Sequence, residues 1–330
     1  MPTTVFTAFS EFLKNYVRID SGRNDVALAS KKNLVNEIIK FPDGDEFPPL
    51  HPEQSMDYGS YSRRTKIRPL DDIDIMIILN AQSSTYIDTG AEVEVHIHPD
   101  AKILPSLCYD DTLILNSIKV NNLLKEHLKG VTKYSKAEIK RNQEAVTLNL
   151  ESYEWVYDIV PAMKATGDGD STFYLIPDGK GNWKRTDPRV DKKRTISTND
   201  MQNVSVLDMV RLVKFWAKNT SIPEIKSYFL ENLILNYYRS GVASFVYEDI
   251  EMVKVFAYIY HNIHNSLNDP KGFQGDINHL SYEEREKVKV KAGEHYFIAV
   301  EARNLEGEKK MEESIAKWRL IFGESFPKYL

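Results

Sequence analysis

The sequence predicts an α+β fold, with a sheet built in the first part of the chain and a helical lobe after it. Three observations carry this. Short β-branched or alternating stretches all fall before residue 199. From residue 200 onward, apolar residues recur at helical spacing. Asp72-Ile73-Asp74 opens the run Ile75-Met76-Ile77-Ile78-Leu79, which is too short for an independent helix and predicts a buried strand.

The elements are expected as follows. Phe6, Phe9, Leu13, Tyr16 and Val17 give residues 3–18 a helical stripe, and Leu34, Val35, Ile38 and Ile39 do the same for 25–40. The Pro- and Gly-rich stretch 41–49 breaks helix and strand alike and predicts a surface loop. Residues 92–98 alternate as a half-exposed strand. Its His96 and His98 lack a third nearby ligand and are expected to be polar side chains on a wet face. Residues 111–128 predict a helix with Leu113, Ile114, Ile118, Leu124 and Leu128 inward, and strands follow at 145–150, 154–160 and 173–177. Asn199 or Asp200 is expected to cap the helix carrying Val206 to Trp216, and Ser221 with Pro223 to start the next. Three more helices are expected near 247–266, 281–305 and 308–322, with a polar loop from Asn268 to Asn278. His261 and His264 are taken as packing or capping residues.

Composition narrows the function classes. With 42% hydrophobic and 28% charged residues, the chain has the make-up of an ordinary globular protein. A net charge of −5 means that the surface as a whole does not advertise nucleic-acid binding, so any basic site must be local. No 18-residue apolar run and no secretory leader is evident, so the expectation is a cytoplasmic protein, neither membrane-spanning nor secreted. Cys108 is the single cysteine. It leaves no internal disulfide and no thiolate-rich zinc site, as suits a reducing compartment.

The chemistry concentrates at residues 59–74. Gly59-Ser60 offers backbone N–H groups and a hydroxyl, the fittings of a phosphate cradle. Asp72 and Asp74 leave one face of a strand side by side, where two carboxylates repel unless a cation sits between them. Hard oxygen ligands in so small a set suit Mg²⁺, which is held by one or two carboxylates plus substrate phosphates. Asp158 shares a face with Val156 and Val160, and a carboxylate on an apolar side needs a partner or a metal.

The Gly-Ser turn followed by Asp-x-Asp resembles the active-site motif of polymerase-β-like nucleotidyltransferases. Asp158 with Pro161-Ala162 is similar to the third-Asp segment of CD-NTases, the bacterial cyclic-oligonucleotide synthases related to cyclic GMP–AMP synthase and oligoadenylate synthase. Ile176-Pro177, Trp183, Thr186-Asp187-Pro188 and Asn199 resemble the segment that closes the catalytic lobe of that family. Lys214 and the Ser227-Tyr228 pair resemble the residues that grip the donor triphosphate and stack on its base. Ser314 to Gly323 with Phe326-Pro327 is similar to the family's last helix.

The resemblance implies a polymerase-β-like fold with a mixed, mainly antiparallel sheet and an active site in a cleft between lobes. The implied division is helices over 1–40 bridging both lobes, a catalytic core over 41–199 and a helical lobe over 200–330. Two Mg²⁺ ions, replaceable by Mn²⁺, would be held by Asp72, Asp74 and Asp158. Gly59, Ser60, Lys214, Ser227 and Tyr228 would bind nucleotide. The implied activity joins nucleoside triphosphates, ATP among them, into a cyclic di- or trinucleotide second messenger with release of pyrophosphate, in bacterial antiphage signalling. Regulatory proteins of a defence operon are the implied partners. No zinc-ribbon cluster is present and the net charge is acidic, so activation by double-stranded DNA is not expected. The competing readings are an RNA-tailing or a small-molecule- or protein-adenylylating nucleotidyltransferase, and a catalytically dead scaffold. Tailing would call for a basic track along the acceptor strand, and the three intact carboxylates weigh against the scaffold.

Overall fold

The computed structural model describes residues 2–90, 92–202, 205–241 and 247–330, and the chain forms two compact units. One comprises Ser21–Ser62 and Leu70–Arg189; the other comprises Met1–Asp20, Arg63–Pro69 and Val190–Leu330. The N-terminal helices are therefore divided between the units at residues 20 and 21.

The first of these units is built on a mixed sheet. Its strands are β1 (Leu50–Asp57), β2 (Asp72–Leu79), β3 (Thr85–Asp88), β4 (Val93–His96), β5 (Glu138–Asn142), β6 (Ala145–Asn149), β7 (Val156–Thr166), β8 (Thr172–Pro177) and β9 (Trp183–Thr186). They run in the order β1-β2-β7-β8-β9-β4-β3, with β6 also beside β7 and β5 beside β6. Only β2 and β7 pair in parallel among the described strands, so the sheet is mainly antiparallel, as expected.

β2 is flanked on both edges and buried along its apolar run, which is why alternation is lost after Asp74. On one face of the sheet, Met76, Ile78, Ala145, Val160, Ala162, Tyr174 and Ile176 form a small core. The helix α4 (Ser117–Gly130) packs on β5 to β8 and is capped by Asn116, whose side chain accepts from the N–H groups of Ile118 and Lys119. α2 (Ser21–Ile38) and the single turn α3 (Gly59–Ser62) complete the unit.

The other unit is helical. α1 (Val5–Phe12) opens with a Thr4–Thr7 capping box and runs into a π turn at Leu13–Val17. Then come α5 (Pro188–Asp200), α6 (Val206–Asn219), α7 (Ser227–Arg239), α8 (Glu248–Asn262), α9 (Tyr282–Gly307) and α10 (Met311–Phe322). Phe9, Phe12, Trp216, Phe229, Phe256, Trp318 and Phe322 lie in one continuous core. Such large buried side chains stabilise the lobe by roughly 1.5–3 kcal/mol each before entropy is counted.

Several expectations are corrected. Phe47 is 3% exposed, so the 41–49 stretch is anchored to the core instead of lying wholly at the surface. Residues 111–115 form turns and bridges to His96 and Cys108, and the helix begins only at Ser117, leaving Leu113 44% exposed. Helix resumes at Pro188, so Asp200 ends α5 and Ser205 caps α6. Pro223 lies ahead of α7, which begins at Ser227. Phe6 and Tyr16 point outward, because Val5, Ala8, Phe9 and Phe12 take the inner face.

Candidate active site

The parallel ladder between β2 and β7 sets the site. Its register places Asp72 opposite Val156 and Asp74 opposite Asp158. Neighbouring strands lie about 4.8 Å apart, so the Asp74 and Asp158 carboxylates leave one face of adjacent strands. Asp72, two residues earlier, shares that face. All three are half-buried, whereas the strand positions that follow on the same face, Met76, Ile78, Val160 and Ala162, close into the core. On the other side of β7, Thr147 of β6 stands opposite Asp158.

Gly59 belongs to the same site. At φ +69° it adopts a conformation that L side chains rarely take, and a Cβ there would lie 1.7 Å from Asp74 Oδ2. The neighbouring Tyr58 N–H donates to the Asp74 carbonyl at 3.4 Å, fixing the turn on the strand. α2 grips the turn from outside: Tyr61 Oη donates to Asn24 Oδ1 at 2.8 Å, and Lys31 Nζ to Asp57 Oδ1 at 2.6 Å. Burial, then Asp57, pushes the Tyr61 phenol up to about 12, so it remains a donor.

A cavity of about 330 Å³ opens beside the carboxylates. Asp74 and Asp158 line it with Tyr58, the β5–β6 turn Asn142-Gln143-Glu144, and Lys184 of β9. Ala145, Val160 and Ile176 are its apolar part.

The expected nucleotide contacts of the helical unit are placed as follows. Lys214, on α6, is 7% exposed, and its Nζ donates to Glu231 Oε1 at 2.9 Å. Arg63 Nε donates to the other oxygen of Glu231, also at 2.9 Å. Burial pushes the Glu231 carboxyl up, but Arg63 and Lys214 outweigh it and hold it at about 2. Ser227 is the exposed first residue of α7. Tyr228 Oη donates to Asp191 Oδ1 at 2.8 Å and lies 2.7 Å from Asp269 Oδ1, and Lys271 Nζ donates to it at 2.6 Å. Burial and those carboxylates push its phenol well up, so the proton stays. The Arg63 guanidinium lies 5.7 Å from the Tyr228 ring centre, linking the Lys214 and Tyr228 clusters.

His96 Nε2 sits 3.0 Å from Glu94, and His98 Nδ1 lies 3.8 Å from Asp100. Among the described residues no group of three or more His, Cys, Asp and Glu side chains is drawn together as a ready-made metal cage.

No family model matches the chain. A probable cyclic nucleotide synthase of Bacillus cereus (strain VD146) is 38% identical over 337 residues, covering 100% of this chain and 99% of that protein. The chain belongs to the CD-NTase family. A cyclic AMP-AMP-GMP synthase of Enterobacter hormaechei subsp. hoffmannii (strain UCI 50) is 24% identical, covering 97% of this chain and 91% of that protein. Among solved structures, Escherichia coli MS115-1 CdnC with ATP superposes with a TM-score of 0.72 at 16% identity, covering 98% of both chains. That likeness is one of fold, and it bears out the polymerase-β-like architecture.

This CD-NTase is thus a nucleotidyltransferase of the cyclic-oligonucleotide-synthesising group. Two sets of residues escape sequence reasoning. Arg63 lies in the basic stretch after Gly59-Ser60, so its position is a usable signal. Asp269 and Lys271 lie in a polar loop that carries no periodicity, and nothing local distinguishes them.

Proposed function

We propose that this CD-NTase joins nucleoside triphosphates, ATP among them, into a cyclic di- or trinucleotide with release of pyrophosphate, as a cytoplasmic second messenger in antiphage defence. The observation that supports this most is the register setting Asp74 opposite Asp158, with Gly59 pressed against the Asp74 carboxylate.

The donor set fits hard divalent cations: three carboxylates share one sheet face, beside a turn that leaves no room for a Cβ. Mg²⁺ keeps few protein ligands and completes its shell with phosphate and water, so a preformed protein cage is not required. Asp72, Asp74 and Asp158 would hold two Mg²⁺ ions, with Mn²⁺ able to substitute. When bound, these would neutralise triphosphate charge and lower the pKa of the attacking ribose hydroxyl. The chain's own work is alignment, which nucleotidyl transfer needs more than covalent help. Asp158 serves the acceptor, and the Gly59-Ser60 turn offers N–H groups and a hydroxyl to phosphate. Lys214, Ser227 and Tyr228 form the helical unit's proposed nucleotide-binding set, with Lys214 and Ser227 for phosphate and Tyr228 for the base. Lys214 would have to exchange Glu231 for phosphate to do so.

Partner proteins are proposed as regulators. CdnC has been solved in a complex with HORMA-deltaN, and that assembly motivates the expectation. No described helix is long and apolar enough to cross a membrane.

The test is incubation with labelled nucleoside triphosphates, Mg²⁺ or Mn²⁺, and then phosphatase. Phosphatase-resistant small products uphold cyclisation. Labelled macromolecule points to tailing or protein modification, and no incorporation points to a scaffold.

A further inference from the structure

The β5–β6 turn is held more firmly than a surface hairpin needs. Asn121, fully buried on α4, donates from Nδ2 to the carbonyls of Gln143 and Glu144 at 3.3 and 3.4 Å. Gly179, at φ +88°, packs close enough that a Cβ there would lie 3.2 Å from the Gln143 Cβ. Glu144 is further tied to Lys184 of β9. Backbone and one side chain are thus fixed from three directions, while the amides of Asn142 and Gln143 remain exposed.

The register explains why the turn faces the chemistry. Asn142 pairs with Ala145, and Val146 with Ile159, so the turn follows directly on the β6 edge beside β7. Lys184 stands opposite Ile176, whose side chain is part of the same small core as Val160. The cavity is therefore lined by apolar residues (Ala145, Val160, Ile176), by Tyr58, by the turn residues Asn142 and Gln143, by the Glu144–Lys184 pair and by Asp74 and Asp158. Its volume of about 330 Å³ is at the small end of ligand pockets, roughly 300–1,000 Å³, and suits one nucleoside and not two.

We infer that this cavity is the acceptor-base subsite and that the Asn142-Gln143 amides select adenine there. The inference rests on the proposed nucleotidyl transfer and adds to it the residues that choose the acceptor. Apolar side chains and a tyrosine ring receive a base without regard to its identity. Identity is read at the edge, and a side-chain amide pairs its donor and acceptor with N6 and N7 of adenine. A bare carboxylate would favour an amino-bearing guanine edge, but Glu144 is already engaged by Lys184. The base placed here belongs to the nucleotide whose ribose hydroxyl attacks the donor α-phosphorus. The P–O bond to pyrophosphate breaks as the new one forms, the hydroxyl proton is lost to water, and the acceptor keeps its own 5′-triphosphate.

That retained triphosphate makes the acceptor identifiable. The enzyme is supplied with equimolar ATP, GTP, CTP and UTP and Mg²⁺, and the linear intermediates are sequenced by mass spectrometry. Adenine is expected at the triphosphate end, and Asn142→Ala with Gln143→Met is expected to reduce that preference about tenfold, the effect of one or two neutral hydrogen bonds. An unchanged preference in a variant that still makes product would overturn the inference. A wild type that makes no product refutes the proposed transfer, and calorimetry with ATP and Ca²⁺ then decides the subsite by itself. Two ATP molecules per wild-type chain, one of them bound about tenfold more weakly by the variant, uphold it; a single ATP per wild-type chain, or two affinities unchanged in the variant, overturns it. Both substituted side chains are exposed, and thermal melting checks that the fold is kept.

Discussion

Gly59 and Asp74 occupy each other's space: a single added carbon on Gly59 would overlap Asp74 Oδ2 at 1.7 Å. The turn that offers backbone N–H groups and the strand that carries the carboxylate are therefore fitted together at one atom's width. Gly59→Ala is expected to displace Asp74. Misplacement by about 1 Å can lower turnover about a hundredfold. The left-handed backbone adds a stability cost of roughly 1–2 kcal/mol. Pyrophosphate release and thermal melting measure the two effects, and wild-type release by this variant would detach Gly59 from the chemistry.

Asp158 is expected to serve the acceptor alone. Asp158→Asn keeps the shape of the side chain and removes its charge. Pyrophosphate release should fall by about three orders of magnitude, as with loss of other preorganised charge at a reacting centre. ATP binding, measured by calorimetry with Ca²⁺, should change little. A parallel loss of binding would place Asp158 on the donor instead.

Glu231 binds two cations, the buried Lys214 and the partly buried Arg63. Removing the acid leaves the buried Lys214 ammonium, with the Arg63 guanidinium beside it, without compensation, a change that costs on the order of 3–5 kcal/mol. Glu231→Ala is therefore expected to lower the midpoint of urea denaturation sharply, with Glu231→Gln intermediate. If Lys214→Met in the Glu231→Ala background restores most of the loss, the cause is the stranded charge and not the cavity.

His295 is buried, and its Nδ1 accepts the Trp216 indole N–H at 2.7 Å. Burial, then Lys291, lowers its pKa to about 4. A depressed folded-state value means the unfolded chain takes up the proton first as pH falls. The contribution is therefore complete above about 6.5 and is lost as pH falls through about 4. Stability should drop by on the order of 2 kcal/mol between pH 7 and pH 4.5 from this group. His295→Gln retains an acceptor for Trp216 and should flatten that part of the profile. An unaltered profile would assign the acid sensitivity elsewhere.

The residues that could be read from the sequence are those whose local pattern and tertiary role agree. β2 is apolar because it is central, and α6 and α9 are periodic because one face meets a core. Asp72, Asp74 and Asp158 stood out because charge at the head of apolar strands conflicts with burial. β1 carries no strand signal: most of its residues are polar, with Pro52 inside, and only pairing with β2 makes it a strand. The same holds for β5 and β9, short strands defined by their partners. Leu113 and Ile114 extend the apolar count and so place the start of α4 too early, while Asn116 is the residue that caps the helix. Lys214 could be found by position, but its burial against Glu231 could not, because Glu231 lies a helix away in sequence.

The proposed nucleotidyl transfer depends on the carboxylates of β2, and pyrophosphate release by Asp72→Asn with Asp74→Asn measures them most directly. With nucleoside triphosphates and Mg²⁺ supplied, the wild type is predicted to release pyrophosphate and the double variant none, at matched melting temperatures. Release by the folded double variant at the wild-type rate would contradict the assignment.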